Sequence, residues 1–111
     1  MEKEPQSHSV QLAEAFKDSG KAFAAIGDEY RQQILIYLLH SGCRGARVGE
    51  LTEVTHLSQP AVSHHLAILK ASDLIDVRRE GTKNYYHLNP RCDFWEKIGH
   101  IASLIHRVIE E

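Results

Sequence analysis

Two adjacent histidines, His64 and His65, lie in the middle of the otherwise apolar stretch SQPAVSHHLAILKASDLI, which runs from Ser58 to Ile75. An imidazole can bind a metal ion, take part in hydrogen bonds to an external partner, or lie paired inside a protein core. Adjacent residues of a helix point about 100° apart, so these two side chains are poorly placed to share one ion. We therefore predict that His64 faces outward toward a partner and that His65 is half-buried and makes a supporting hydrogen bond.

The stretch has the features of a helix that buries one side. Ser58 can cap its N-terminus, and Pro60 falls in the first turn, where a helix tolerates proline. A buried stripe is predicted by the helical spacing of Val62, Leu66 and Leu69. The opposite face then carries Gln59, Ser63, His64, Ala67 and Lys70.

The neighbouring segments predict the elements that position this helix. A short apolar-patterned helix around Val48 to Val54 precedes it, across a tight turn at His56 and Leu57. Two β-type runs follow, residues 75–79 and 84–88, and the turn residues between them predict a hairpin. This order is that of a helix-turn-helix, over about residues 47–71, followed by a wing over about residues 75–88. The second helix of such a unit lies in the major groove of DNA.

The rest of the chain predicts further helices on both sides of this unit. We expect a disordered lead over residues 1–8, a helix over residues 9–26, and a second helix that starts after Gly27-Asp28 and stops at Ser41-Gly42. Asn89-Pro90 predicts the start of a last helix, over about residues 90–110. The fold class is thus mainly α with a small β-hairpin, about five helices in one domain over residues 9–111.

Composition and charge favour an ordinary globular protein with one unusual feature. The apolar fraction is 42% and the charged fraction 25%, with a net charge of −2. Residues 44–91 hold seven basic and five acidic residues, whereas the remainder holds six and ten. A mildly basic centre between acidic flanks favours contact with a polyanion. The polar N-terminus and the lack of any run of about 18 apolar residues predict a cytoplasmic protein without a membrane segment.

The side chains of the second helix and the wing match the chemistry of double-stranded DNA. Gln59 can pair with adenine, Ala61 can contact a thymine methyl group, and Ser63 can bond to a base or a phosphate. Arg78, Arg79 and Lys83 on the wing can hold phosphates, which adds affinity rather than sequence preference. The predicted DNA-binding residues are Ser58, Gln59, Ala61, Ser63, His64, His65, Arg78, Arg79 and Lys83.

The segments GDEYRQQILIYLL and VGELTEVTHLSQPAVSHHLAILKASDLIDVRREGTKNYYHL resemble the ArsR/SmtB family of bacterial winged-helix repressors. The resemblance covers nearly the whole chain. It implies a homodimer joined by the first and last helices, an inverted-repeat operator, and repression that is released by a signal. The dimer interface expected from it comprises Leu12, Phe16, Phe94, Ile98, Ile101 and Ile105, although the seam of the last helix can equally be intramolecular core.

The sensor sites of this family are only partly matched. The short helix VGELTEV lacks the cysteine pair that arsenic and cadmium sensors place there. Asp93, Glu96 and His100 are candidate ligands for zinc or another transition metal, but Glu96, His100, Ser103 and Arg107 equally form a solvated polar stripe. Cys43 and Cys92 are a candidate thiol switch or two inert reduced thiols.

The sequence contains no feature of an enzyme. We find no paired catalytic carboxylates, nucleophile elbow or glycine-rich phosphate loop. The leading prediction is a homodimeric, sequence-specific DNA-binding repressor. The alternatives are a winged-helix module that binds protein, which the near-neutral charge favours, and a regulator that needs no inducer.

Overall fold

The computed structural model describes residues 7–111 and contains six α-helices, one 3₁₀ turn and one two-stranded hairpin. In chain order these are α1 (His8–Asp18), α2 (Gly20–Ile26), α3 (Glu29–Ser41), the 3₁₀ turn (Gly42–Arg44), α4 (Val48–Thr55), α5 (Gln59–Ala71), β1 (Ile75–Glu80), β2 (Lys83–Leu88) and α6 (Phe94–Glu110). The predicted class, mainly helical with one hairpin wing, is confirmed. None of the helices in these residues is both long and apolar enough to span a membrane.

The chain folds into two compact units. The first unit combines residues 7–21 with Asp93–Glu111, and the second unit comprises Ala22–Cys92. In the first unit α1 packs along α6, and a hydrogen bond from the His8 ring to the Glu111 carboxylate joins the start of α1 to the end of α6. The two helices are therefore antiparallel.

The predicted helix over residues 9–26, for which the sequence marks Gly20 as a possible interruption, is two helices, because α1 ends at Asp18 with Ser19 as its C-cap. The Ser19 N–H bonds to the carbonyls of Ala15 and Phe16, and Gly20 begins α2. Glycine weakens a helix interior, so a break here costs little. His8 belongs to α1, whose N-cap is Ser7, while residues 1–6 of the predicted lead lie outside the described residues.

The core of the second unit comes from one face each of α3, α4 and α5. The side chains that are at most 2% exposed in it are Ala25, Ile34, Leu38, Ala46, Leu51, Val62, Leu66, Leu69, Leu74 and Ile75. The stripe predicted on α5 therefore packs inward, and its opposite face is left to solvent. Helix α3 starts as predicted, because the Asp28 carboxylate accepts hydrogen bonds from the N–H groups of Tyr30 and Arg31.

The hairpin pairs β1 and β2 in antiparallel register from Ile75 with Leu88 to Glu80 with Lys83. Its edge is extended by a feature absent from our prediction: Ala46 and Tyr86 exchange two backbone hydrogen bonds of 2.8 Å. The residue before this bridge is Gly45, with φ of 72°. A Cβ atom on Gly45 would lie 2.7 Å from the Tyr86 carbonyl oxygen, so only glycine fits there.

The prediction that Asn89-Pro90 opens the last helix is wrong, because α6 begins at Phe94. The Asn89 side chain accepts a hydrogen bond from the Arg91 N–H and donates one to the Asp73 carbonyl, which forms a turn instead of a cap. The helix itself and its apolar spacing are as predicted.

Candidate nucleic-acid interface

The turn between α4 and α5 is held by a buried threonine. The Thr55 hydroxyl, in a residue that is 4% exposed, donates to the Leu51 carbonyl at 2.8 Å and accepts from the Leu57 N–H at 3.3 Å. His56 ends α4 in the left-handed conformation, with φ of 60°. These contacts set the angle at which α5 leaves α4.

Helix α5 presents the predicted polar face to solvent. Ser58 caps the helix, since its hydroxyl accepts from the Ala61 N–H at 3.3 Å. Gln59, Ser63 and His64 are exposed, and Ala61 is partly exposed. The amide, hydroxyl and imidazole groups near the start of α5 can therefore reach a neighbouring surface together.

His65 lies on the inner edge of α5, where it makes the predicted supporting hydrogen bond. Its side chain is 15% exposed, and its Nδ1 is 3.1 Å from Nη1 of Arg31. Because arginine only donates, Nδ1 of His65 is the acceptor. Asp28 Oδ1 lies 3.9 Å from the same nitrogen. The hydrogen bond from the Arg31 backbone N–H holds the pKa of the Asp28 carboxyl below its usual value.

The arginines of the wing differ in their surroundings. Arg79, at the exposed end of β1, and Lys83, across the turn, face solvent. Arg78 is partly buried and donates to Glu80 Oε1 at 2.9 Å and to the carbonyls of Cys43 and Arg44 at 3.0 Å each. Its guanidinium carbon also lies 5.3 Å from the centre of the Tyr85 ring. Arg78 thus joins the wing to the 3₁₀ turn.

The N-terminus of α4 is organised around the Glu50 carboxylate. It accepts from the Arg47 N–H at 2.8 Å, from Arg44 at 2.9 Å and from the Tyr37 hydroxyl at 3.0 Å. Partial burial alone would raise the pKa of Glu50, but these hydrogen bonds together lower it. The carboxylate is therefore ionised at neutral pH and stabilises this corner of the interface.

A groove with a cavity volume of about 560 Å³ runs between the first residues of α4 and α5 and the tip of the wing. Its lining residues are Arg47, Val48, Gly49, Glu50, Gln59, Thr82 and Asn84. The Glu50 carboxylate among them is bonded to Arg44, to the Tyr37 hydroxyl and to the Arg47 N–H. Helix N-termini and basic side chains attract phosphate groups, so the groove suits a nucleic-acid backbone. The sequence-based prediction did not include Arg47, Thr82 and Asn84 among the DNA-binding residues. The two predicted strands, residues 75–79 and 84–88, could have indicated Asn84, because they end and begin at Arg79 and Asn84, which are paired in the hairpin.

The predicted dimer residues fall into two groups. Phe94 and Ile101 are 4% and 3% exposed, so they are already covered within one chain. Phe16 and Ile98 are 43% and 37% exposed, and Leu12 and Ile105 are partly exposed. Leu104, which was not predicted, is buried. The seam of α6 is therefore partly intramolecular core.

The predicted metal ligands do not come together within this chain. Among residues 7–111, no three His, Cys, Asp or Glu side chains lie close enough to hold one ion. Asp93 occupies the N-cap position of α6, Glu96 is exposed in the first turn, and His100 lines a groove along α1.

The two predicted switch cysteines differ in exposure. Cys43 is exposed in the 3₁₀ turn, and Cys92 is buried two residues before α6. The structure thus gives reagents in solution access to one of the two thiols.

Comparison with known proteins gives a consistent result. The sequence pattern of the family described as "Bacterial regulatory protein, arsR family" matches residues 28–77. The transcriptional activator HlyU of Vibrio cholerae is 34% identical over 102 residues, which cover 89% of this chain and 87% of that protein. The transcriptional repressor SdpR of Bacillus subtilis is 43% identical over 67 residues, which cover 60% and 71%.

Solved structures agree with the sequence matches. The structure of reduced HlyU from Vibrio cholerae superposes with a TM-score of 0.61 at 37% identity and covers 86% of this chain and 95% of that one. The helical order and the wing are thus shared with regulators of transcription.

Proposed function

This chain belongs to the ArsR family of bacterial regulatory proteins, which bind DNA and regulate transcription, and from that premise we propose that it is a homodimeric repressor of an inverted-repeat operator. Proteins of this family are regulators of transcription and not enzymes. The observation that carries the proposal is the exposed polar face at the start of α5, beside a wing with two exposed basic residues.

In this proposal α5 supplies sequence preference. Gln59 bonds to an adenine edge, Ser63 and His64 bond to bases or phosphates, and Ala61 contacts a thymine methyl group. Ser58 contributes as the cap that fixes the first turn. His65 acts indirectly, since its hydrogen bond to Arg31 sets the rotation of α5 against α3.

The wing supplies affinity through phosphates. Arg79 and Lys83 are the phosphate ligands, and Arg47, Thr82 and Asn84 line the groove through which the backbone passes. We assign Arg78 a positioning role, because three of its N–H groups are already bonded within the protein.

Dimerisation through α1 and α6 is the second part of the proposal. Phe16, Ile98 and Ile109 leave large apolar side chains exposed on these two helices, which favours burial against a second copy. Two α5 helices related by a twofold axis then contact two half-sites of a palindrome.

The direction of regulation and the signal belong to the proposal as well. The relatives include an activator, HlyU, and several proteins named as repressors, among them SdpR and the arsenical resistance operon repressor of Bacillus subtilis. We propose repression because repressors are the more frequent of the two among these names. Release by a metal such as zinc needs ligands from more than one chain, whereas a thiol switch has one accessible thiol at Cys43.

The DNA contact is tested by anisotropy of a labelled operator selected from random duplexes. Gln59→Ala should weaken binding by about 5- to 150-fold, the equivalent of one two-point base contact of about 1–3 kcal/mol. The double variant Ser63→Ala/His64→Ala should abolish specific binding. His40→Ala is the control, because His40 is also an exposed histidine of the second unit. Unchanged affinity in the α5 variants would contradict the proposal.

A salt titration of the same complex separates DNA binding from protein binding. Phosphate contacts predict that log K falls linearly as log salt rises. Replacing Lys83 by alanine should make the slope shallower by about one. A flat slope for the unaltered protein would favour the protein-binding alternative.

Dimerisation is tested by light scattering on the isolated protein. Ile98→Glu buries a charge in the proposed interface and should yield monomers. Ser103→Glu places the same charge on an exposed residue of the polar stripe of α6 and should leave the dimer intact. If both variants remain dimers, the dimer interface does not include Ile98 and the proposed contact through α1 and α6 is wrong.

A further inference from the structure

We propose that the second unit contains a binding pocket for a small organic acid with an apolar body, between the end of α3, the 3₁₀ turn and the wing. The cavity has a volume of about 440 Å³, within the range of small-molecule sites. We call it the Arg78 pocket. It is formed entirely by residues of Leu38–Pro90, so it lies within one folded unit.

The walls of the Arg78 pocket are mostly apolar. Leu39, Leu88 and Pro90 contribute the hydrocarbon surface, whereas Leu38 also lines the pocket but is only 1% exposed. Leu39 is 65% exposed and lines the pocket. A ligand with an aliphatic or aromatic body would remove this surface from water, which is favourable in proportion to the area covered.

The polar groups of the pocket favour an acid. Arg78 has five N–H donors, of which three bond to Glu80, Cys43 and Arg44. The two remaining donors can bond to a carboxylate, and such charge-assisted bonds are stronger than neutral ones. His87, on the same lining, donates from Nδ1 to the Leu88 carbonyl at 3.0 Å, which fixes its ring.

Occupation of the pocket would act on the wing. Arg78 joins β1 to the 3₁₀ turn through two carbonyls, and the chain runs from that turn to Arg47 at the DNA groove. A carboxylate on the two remaining donors of Arg78 adds a second negative charge beside the Glu80 carboxylate, so the wing would shift against α4. The effect on operator binding rests on the proposed function, whereas ligand binding itself does not.

Cys43 provides the reporter for the experiment. It lines the pocket and is exposed, whereas Cys92 is 8% exposed and should therefore react slowly. The probes are phenylacetate and phenylacetamide, which share a shape but differ in charge. We expect phenylacetate to slow iodoacetamide alkylation of Cys43 saturably, and phenylacetamide to require about a tenfold higher concentration or more.

Two variants of α3 test the location. Leu39→Asp adds a negative charge to the wall and should abolish the protection by phenylacetate. Ile36→Asp is the matched control, because Ile36 is 57% exposed on the same helix but outside the pocket. Loss of protection in both variants, or in neither, would overturn the assignment of this pocket.

The comparison of phenylacetate with phenylacetamide tests whether the pocket prefers an acid. Equal protection by the acid and the amide would overturn the role of Arg78 as an acid ligand, and no protection by either would overturn the pocket as a whole. At protective concentrations we expect phenylacetate to lower operator affinity of the unaltered protein. If the protein without probe binds its operator but no probe protects Cys43, this inference fails and the proposed function stands.

Discussion

Replacing Gly45 by alanine should destabilise the protein by about 4 kcal/mol, a large share of the 5–15 kcal/mol typical of a domain. Gly45 has φ of 72° and ψ of −174°, a combination that side-chain-bearing residues avoid. Its position also admits no Cβ atom, because the Tyr86 carbonyl oxygen would be 2.7 Å away. The variant therefore faces both backbone strain and a steric clash.

The magnitude follows from these two terms. Holding alanine at such a backbone conformation costs about 2 kcal/mol. To relieve the clash the chain must move away from β2, which breaks the two 2.8 Å hydrogen bonds between Ala46 and Tyr86. Each hydrogen bond contributes about 1 kcal/mol net, so the second term is about 2 kcal/mol.

Urea unfolding followed by circular dichroism measures the loss, with Gly42→Ala as the matched control. Gly42 has φ of 56° and ψ of −138°, but nothing lies within 4 Å of its added Cβ atom. It should therefore lose only the backbone term, about 2 kcal/mol. If the two variants lose the same unfolding free energy, the Cβ clash at Gly45 and the loss of the hydrogen bonds between Ala46 and Tyr86 are both refuted.

Three further predictions concern the interface and the thiols. Glu50→Gln should be less stable than the unaltered protein at pH 7, because the folded-state pKa of Glu50 is lowered. The difference in unfolding free energy between the two proteins should shrink as the pH falls below 4.5, as measured by urea unfolding across pH. A difference that stays constant with pH would contradict this prediction. Thr55→Val keeps the shape but leaves the Leu57 N–H without its acceptor, so unfolding free energy should fall by about 1–2 kcal/mol; no change in the urea midpoint would argue against this contact. Iodoacetamide should label Cys43 in the folded protein and Cys92 only after denaturation, as seen by peptide mass spectrometry; equal rates would contradict the burial of Cys92.

Much of the helix-turn-helix could be predicted from the sequence because its determinants are local. The Ser58 cap, the spacing of Val62, Leu66 and Leu69, and the Asp28 cap act over a few residues, and each is found in the structure. The two strands of the hairpin were predicted to within one residue at the turn for the same reason.

The errors arise where a local signal had a stronger long-range competitor. Asn89-Pro90 has the composition of a helix start, but Asn89 bonds instead to Asp73, sixteen residues earlier. In the same way, no local signal indicates that Arg78 bonds to carbonyls that lie 34 and 35 residues away in sequence. Residue type alone carries no information about such partners.

The sequence by itself determined the family, the fold class and the place of the helix-turn-helix in the chain, because periodicity, caps and the motif SQPAVSHHLAILK depend on neighbouring residues. Only the tertiary structure decided that Arg78 joins the wing to the 3₁₀ turn, that Phe94 and Ile101 are covered within one chain, and that Gly45 must be glycine. These outcomes depend on which surfaces come into contact when distant segments pack. Because protein interiors are close-packed, a difference of a few tenths of an ångström in the distance between two atoms decides whether a side chain fits.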